Sequence, residues 1–418
     1  MELKIGEIPC SKLVEKYGTP LYVYDEVLMR NIIRKYKNNL VSDKFETEVL
    51  FASKAFACKA MYKLVHEEGI GSDVVSGGEL YAALQYQSPE HIYFHGNNKT
   101  LKEIEMGINA GVKFVCDNLD EAKMLAEASD RLGKDVEVLF RLNVGVEAHT
   151  HKFIVTAHVD SKFGMLIGSE DLKKSLEVIN NSKHLHLAGF HSHIGSQIFD
   201  PSGFYAAIDK LVDYIKTFKE ALILNIGGGY GVRYTDEDKP IPFDEISKML
   251  IKHTEEALEK NKCNIKSLVI EPGRSIVGEA GYTLYTIGNT KQTPNRKYYF
   301  IDGGMADNIR PALYQAKYDA VIANKVDEPK TEVVTLAGKC CESGDLIIED
   351  IKMAKAERGD IVCVFTTGAY GYSMSSHYNK AQTPAVVFVS GARARVVIER
   401  ETYEDLYRND VDGEYEIL

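Results

Sequence analysis

Val49-Leu50-Phe51-Ala52-Ser53-Lys54-Ala55-Phe56-Ala57 (VLFASKAFA) decides how this chain is read. Its first half is an unbroken apolar run of strand length, and a segment with helical spacing of apolar residues, Phe56 to Val65, follows. Lys54 therefore falls where a buried strand gives way to a helix. An amine at the C-terminal mouth of a parallel strand can be desolvated, kept partly neutral and used as a nucleophile towards a carbonyl. Most strand-end lysines simply reach water, so the rest of the chain has to decide between the two readings.

Outward from this stretch one theme repeats: a short apolar run, then a longer one of helical period. The strands expected are Glu48 to Ser53, Gly71 to Val75, His91 to Phe94, Val112 to Cys116, Val136 to Leu142, Leu185 to Phe190, Leu222 to Ile226 and Ser267 to Ile270. Between them Gly78 to Gln85, Leu101 to Ala110, Leu119 to Leu132, Gly203 to Phe218 and Phe243 to Lys260 read as helices. Eight alternating units over about 225 residues predict a (β/α)8 TIM-like barrel, with a doubly wound sheet as the alternative. After Glu271 short β-rich runs take over: Tyr282 to Ile287, Lys297 to Ile301, Glu332 to Leu336, Ile361 to Phe365, Ala385 to Val389 and Ala394 to Ile398. Turn signals at Asp302-Gly303-Gly304, Ser343-Gly344-Asp345, Arg358-Gly359-Asp360 and Ser390-Gly391 separate them. The fold class expected is thus α/β plus all-β. A barrel spans residues 25–275, and a C-terminal β-barrel or sandwich spans 276–418 and takes in the N-terminal segment 1–24 as a strand.

The formal net charge of −11, without a basic block, argues against nucleic acid and anionic membrane as partners. No apolar run approaches the roughly 18 residues of a membrane span, and charges interrupt the N-terminus where a signal peptide needs its apolar core. A cytoplasmic location is expected. The seven cysteines, Cys10, Cys58, Cys116, Cys263, Cys340, Cys341 and Cys363, form neither a disulfide framework nor a zinc-finger spacing, and are expected to be reduced.

A barrel builds its active site at the C-terminal ends of its strands. There the sequence offers Lys54, Asp73, Arg141 with Asn143, then His191-Ser192-His193-Ile194-Gly195-Ser196-Gln197, Gly227-Gly228-Gly229-Tyr230 and Glu271-Pro272-Gly273-Arg274. Backbone without side chains at Gly227, Gly228 and Gly229 can approach an oxyanion closely and present successive N–H groups, although a tight turn also explains glycines there. Phosphate is the expected guest, since barrels commonly hold it near the loops after strands seven and eight. The alternation in His191-Ser192-His193 puts both imidazoles on one face if the strand continues that far. That raises a metal-dependent hydrolase as a rival, which needs further His and Asp ligands the other strand ends do not supply. A lysine, a phosphate cradle, a flat imidazole and a carboxylate after the last strand describe instead the needs of pyridoxal phosphate, so no metal is expected. A carboxylate facing the ring nitrogen favours a deep electron sink suited to decarboxylation. Glu271 is that carboxylate unless it merely pairs with Arg274.

These residues resemble the fold-type III pyridoxal-phosphate decarboxylases, and within them the diaminopimelate decarboxylase family. The resemblance runs through FASKAF around Lys54, GSDVVSGGEL from Gly71, HGNNK from His95, THKF and KFG between His149 and Gly164, HSHIGSQ from His191, GGGYG from Gly227 and EPGRSIV from Glu271. It continues in IDGGMADNIRPALY from Ile301, CESGD from Cys341 and GAYGYSMSSHYN from Gly368. It implies Lys54 as the Schiff-base lysine, His193 stacked on the cofactor ring, Ser196 with Gly227, Gly228 and Gly229 around the phosphate, and Glu271 at the ring nitrogen, with Asp73, Arg141, Gly273 and Arg274 also lining the cofactor site. Arg274, Arg310 and Tyr314 match positions that hold substrate carboxylate, Cys341 the proton donor, Glu342 the reader of the distal amine, and Tyr370 a contact to cofactor and substrate. It further implies a homodimer in which Cys341, Glu342 and Tyr370 reach the partner's site. The expected reaction is loss of carbon dioxide from the D-configured end of meso-2,6-diaminopimelate to give L-lysine. The alternatives are the same chemistry on ornithine, lysine or arginine, a racemase, and a non-catalytic cofactor carrier. Three departures stand out: Phe56 where Asn is usual, Thr156-Ala157 where Thr-Gly is commoner, and a second thiol, Cys340, beside Cys341.

Overall fold

The computed structural model describes residues 1–146, 160–220 and 222–415, so Thr156-Ala157 and the THKF motif lie outside the described residues. The chain divides into two compact units, Leu28–Val277 and Met1–Val27 with Gly278–Leu418.

The first unit is a closed parallel barrel. Its strands are Glu46–Ala52, Gly71–Val74, Ile92–Phe94, Lys113–Cys116, Val136–Asn143, Leu185–His191, Leu222–Asn225 and Ile265–Ile270. Each pairs in parallel with the next, and the eighth closes on the first through Val269 opposite Glu48 and Ile270 opposite Val49. The doubly wound alternative is thereby set aside. Leu50, Tyr93, Val115, Leu139, Ile223 and Val269, from six of the eight strands, meet in one buried cluster at the barrel's heart. The helices start and stop where local chemistry dictates. Thr100 and Glu103 form a capping box on Leu101–Ala110, Asn118 caps Leu119–Leu132 by accepting from Glu121 N–H, and Gly111 and Gly133 end these helices in the left-handed conformation.

One boundary departs from expectation at the opening stretch. Ser53–Ala55 is a single 3₁₀ turn, Phe56 is extended and fully buried, and the helix begins only at Lys59. Period alone cannot see that Phe56 fills the core rather than the helix face.

In the β-rich unit the strands Gly281–Gln292, Lys297–Ile301, Glu332–Ala337, Ile361–Val364, Ala385–Ser390 and Arg393–Ile398 appear where turn signals bracket them. The N-terminal strand Leu21–Asp25 is inserted between Gly281–Gln292, antiparallel, and Ala385–Ser390, parallel. Among the described residues the short pair Lys4–Ile5 and Ile8–Pro9 was not foreseen, nor were two further strands. Leu346–Met353 is an edge strand whose charges, Glu349, Asp350 and Lys352, hide its alternation, and Ala320–Ile322 is only three residues long.

Candidate active site

Glu271 directly follows the last barrel strand, and its carboxylate is buried. Asn225, the last residue of the seventh strand, donates Nδ2–H to Oε1 at 2.7 Å, and His191 Nε2 lies 3.1 Å from Oε2. His95 Nε2 lies 2.8 Å from Oε1. Burial alone pushes such a group up, but the two imidazoles and their contacts outweigh it and hold Glu271 well below the usual carboxylate range. Its charge is therefore fixed without Arg274, which donates instead to Ser196 Oγ at 3.0 Å and to the Tyr234 hydroxyl.

The histidines of HSH separate. His191 ends its strand and turns to Glu271, whereas His193 lies beyond the strand and accepts Gly228 N–H on Nδ1 at 3.3 Å. Burial, then the nearby Lys54 and Arg141 charges, push His193 well below the usual imidazole range, so its ring is neutral. The metal-like grouping among the described residues is a different one, His95, His191 and Glu271. Its nitrogens approach the carboxylate directly at 2.8 and 3.1 Å. The His191 contact is a hydrogen bond, while the His95 contact is short but not aligned as one.

The glycine turn is built from the same parts. Asn225 Oδ1 accepts Gly227 N–H at 2.9 Å while its Nδ2 serves Glu271, so one amide ties turn to carboxylate. Gly227 and Gly229 have φ of +68° and +110°. A Cβ at Gly228 would sit 2.1 Å from the Glu271 carbonyl oxygen, so side chains are sterically shut out.

Around the rest of the mouth, Lys54 is exposed in its 3₁₀ turn. Asp73, in the second strand, is buried; Oδ1 has no hydrogen-bond partner among the described residues and lies 4.0 Å from His95 Nε2. Burial raises its carboxyl despite the cations His95, Lys54 and Arg141 would supply. Arg141 stacks its guanidinium 4.4 Å from the Phe163 ring centroid of KFG and lies 3.9 Å from Asp117. Asp117 also accepts Gly164 N–H at 3.1 Å.

Sequence reasoning gave no roles to His95, Asp117, Asn225 or Tyr234. His95 and Asp117 follow the third and fourth strands, so the rule applied to the other six strand ends would have found them. Asn225 and Tyr234 carried no such signal.

In the β-rich unit three motifs converge. Asp345 of CESGD is buried and accepts Met305 N–H at 2.6 Å and Cys340 N–H at 2.8 Å. Lys339 N–H reaches Gly303 O at 3.0 Å, and Asn379 Oδ1 accepts Cys341 N–H at 2.7 Å. The loop carrying Cys341 and Glu342 is thus pinned by its backbone while both side chains remain exposed. Cys340 is half-buried, and burial together with the Asp345 charge pushes its thiol up to about 11. Arg310 is buried against Tyr318, to which it donates, while Tyr314 is 41% exposed. Tyr370 adopts the left-handed φ of +58° in the loop whose next residue, Gly371, abuts Tyr22.

A closed parallel barrel with a lysine, a glycine turn and an ionised glutamate at its C-terminal mouth defines a pyridoxal-dependent decarboxylase. In agreement, the family described as "Pyridoxal-dependent decarboxylase, pyridoxal binding domain" matches residues 29–278. The diaminopimelate decarboxylase of Bacillus subtilis (strain 168) is 45% identical over 417 residues, spanning 98% of this chain and 95% of that one. That of Staphylococcus aureus (strain COL) is 43% identical, with 98% and 97% covered. The crystal structure of diaminopimelate decarboxylase from M. jannaschii in co-complex with L-lysine superposes with a TM-score of 0.91 at 35% identity, covering 99% of this chain and 98% of that one. The chain belongs to the diaminopimelate decarboxylase family of fold-type III pyridoxal-phosphate enzymes.

The mouth fits that cofactor on its own evidence. With the lysine go a turn stripped of side chains, an imidazole kept neutral, a carboxylate kept charged, and a buried Asp73 oxygen that finds no donor among the described residues.

Proposed function

We infer that the protein decarboxylates meso-2,6-diaminopimelate to L-lysine and carbon dioxide with pyridoxal 5'-phosphate as cofactor, a carbon–carbon lyase closing lysine biosynthesis. The observation that carries the chemistry is the Glu271 carboxylate, buried yet held ionised by His95, His191 and Asn225. Full-length similarity to diaminopimelate decarboxylases supports the substrate.

Residues 25–275 form the cofactor domain, and 1–24 with 276–418 the second domain. Lys54 supplies the amine that anchors the cofactor aldehyde, Ser196, Gly227, Gly228, Gly229, Gly273 and Arg274 hold its phosphate, and His193 presents a neutral ring to stack upon. Asp73, Arg141 and Tyr370 line the remaining cofactor contacts. When bound, pyridoxal phosphate offers a protonated pyridine ring that accepts the electron pair left by departing carbon dioxide. Glu271 keeps the proton on that ring nitrogen. Arg274, Arg310 and Tyr314 grip substrate carboxylate, and Glu342 the distal ammonium, through charge-assisted hydrogen bonds. The distal carboxylate is what ornithine, lysine and arginine lack. Cys341 returns a proton to the α carbon. Its exposure suits that task better than Cys340, whose thiol is turned towards its own loop.

Two copies share each site. Cys341 and Glu342 are exposed in the single chain on a loop already braced in place, which is what a residue delivered to a neighbour requires. Among the described residues no helix is long and apolar enough to cross a membrane, and all seven cysteines are free, which supports a cytoplasmic setting.

Offering the purified protein with pyridoxal phosphate meso-diaminopimelate, L-lysine, L-ornithine and L-arginine tests the substrate by carbon dioxide release. Turnover of ornithine or arginine alone would overturn it. Mixing inactive Lys54→Ala and Cys341→Ala chains should restore activity in hybrid dimers; no recovery would refute shared sites.

A further inference from the structure

The HGNNK motif that opens at His95 has been given no role at the cofactor beyond the charge it helps to hold on Glu271, which its first side chain reaches. His95 directly follows the third barrel strand, and its N–H continues the sheet by donating to Val74 O at 2.8 Å, so the backbone is fixed. Its ring stands edge-on to His191 with centroids 4.8 Å apart. Nε2 lies between two carboxylates, 2.8 Å from Glu271 Oε1 and 4.0 Å from Asp73 Oδ1. The contact to Glu271 is short but bent away from the alignment of a good hydrogen bond. That is the geometry of an N–H placed between two acceptors, and hydrogen bonds of this kind commonly tighten once a site is filled.

An ionised carboxylate has roughly four lone-pair sites. On Glu271, Oε1 has both neighbours, Asn225 and His95, while Oε2 has only His191 among the described residues. One site on Oε2 is left. Among the described residues His191 Nδ1 has no partner in its buried setting, which fits the neutral tautomer donating from Nε2. Among the described residues the side chains that reach the carboxylate, Asn225, His95 and His191, each present a donor, and one acceptor position remains open.

We propose that His95 is a positioning residue for the reaction: with Asn225 it saturates Glu271 Oε1, leaving Oε2 as the single oxygen that accepts the N–H of the cofactor's pyridine ring. This rests on the decarboxylase reading. In this role His95 acts through Glu271, by denying the carboxylate its other orientation.

The test uses holoenzyme loaded with ¹⁵N-labelled pyridoxal phosphate. In His95→Leu the ring ¹⁵N signal should move towards the unprotonated position. kcat should fall about 10- to 100-fold, the range seen when a partner of a site ligand is lost, with KM little changed. His95→Gln, whose amide can still donate, should recover most of both. In a Glu271→Gln background, His95→Leu should have no further effect, because the two act as one unit. An unchanged ring signal in folded, cofactor-loaded His95→Leu, or additive losses in the double variant, would overturn the proposal. Wild type that fails to load the cofactor or release carbon dioxide would instead overturn the decarboxylase reading.

Discussion

The barrel mouth and the CESGD loop are assembled by opposite means. Around Glu271 the links run from side chain to side chain and are buried. Around Cys341 they run from side chain to backbone, through Asp345 and Asn379, and leave the reactive side chains exposed. The first arrangement sets charge and protonation before anything binds, because buried donors and acceptors are strongly coupled and costly to leave unmatched. The second fixes only where a loop stands and leaves its thiol and carboxylate free to meet an occupant.

Breaking each side in turn sharpens the contrast. Lys54→Ala should be the most damaging, lowering carbon dioxide release on the order of 10⁴-fold or more and abolishing borohydride-reducible attachment of the cofactor. Retained attachment would move the anchor elsewhere. On the loop, Cys341→Ala should cost about 10²–10⁴-fold in kcat, the range for a lost proton donor, with cofactor absorbance unchanged. Cys340→Ala should cost far less, and an inverted ranking would make Cys340 the donor.

Asp345→Ala leaves the Met305 and Cys340 N–H groups without their acceptor and should lower stability by about 3 kcal/mol in urea unfolding. Activity should fall with the loop's position while the barrel's cofactor spectrum stays as in wild type. A spectrum that also changed would mean the two regions are not independent.

The smallest effect is a pH slope. Burial, opposed by Glu271, lowers His191 to about 4, below the roughly 6.5 of an unfolded histidine. Between those values the unfolded chain binds more protons, so stability from this group is full above about pH 6.5 and is lost as pH falls towards 4. Glu79, raised to about 7 by burial, acts in the opposite sense across an overlapping window. The difference between wild type and His191→Gln isolates the histidine: the wild-type minus variant stability should decline on acidification, and a flat difference would show that His191 does not titrate in this way.

Much of this molecule was legible in its sequence because local pattern carries it. Apolar runs between turn signals located all eight barrel strands, and the strand-end rule located Lys54, Asp73, Arg141 and Glu271. The return of Leu21–Asp25 to the β-rich unit was foreseen from its position before the barrel, but not its place between two strands. Edge strand Leu346–Met353 was not foreseen, because its charges obscure a period of two.

What the sequence by itself determined is the barrel, the β-rich module and the set of groups available at strand ends, each fixed by a periodicity of two or 3.6 residues. Only the tertiary structure decided which of those groups meet. His191 and His193 sit two residues apart yet diverge, while His95, Asn225 and Glu271, far apart in sequence, converge. Closing the barrel brings the strand ends around one mouth, and there burial leaves Glu271 charged only because other strands deliver the donors.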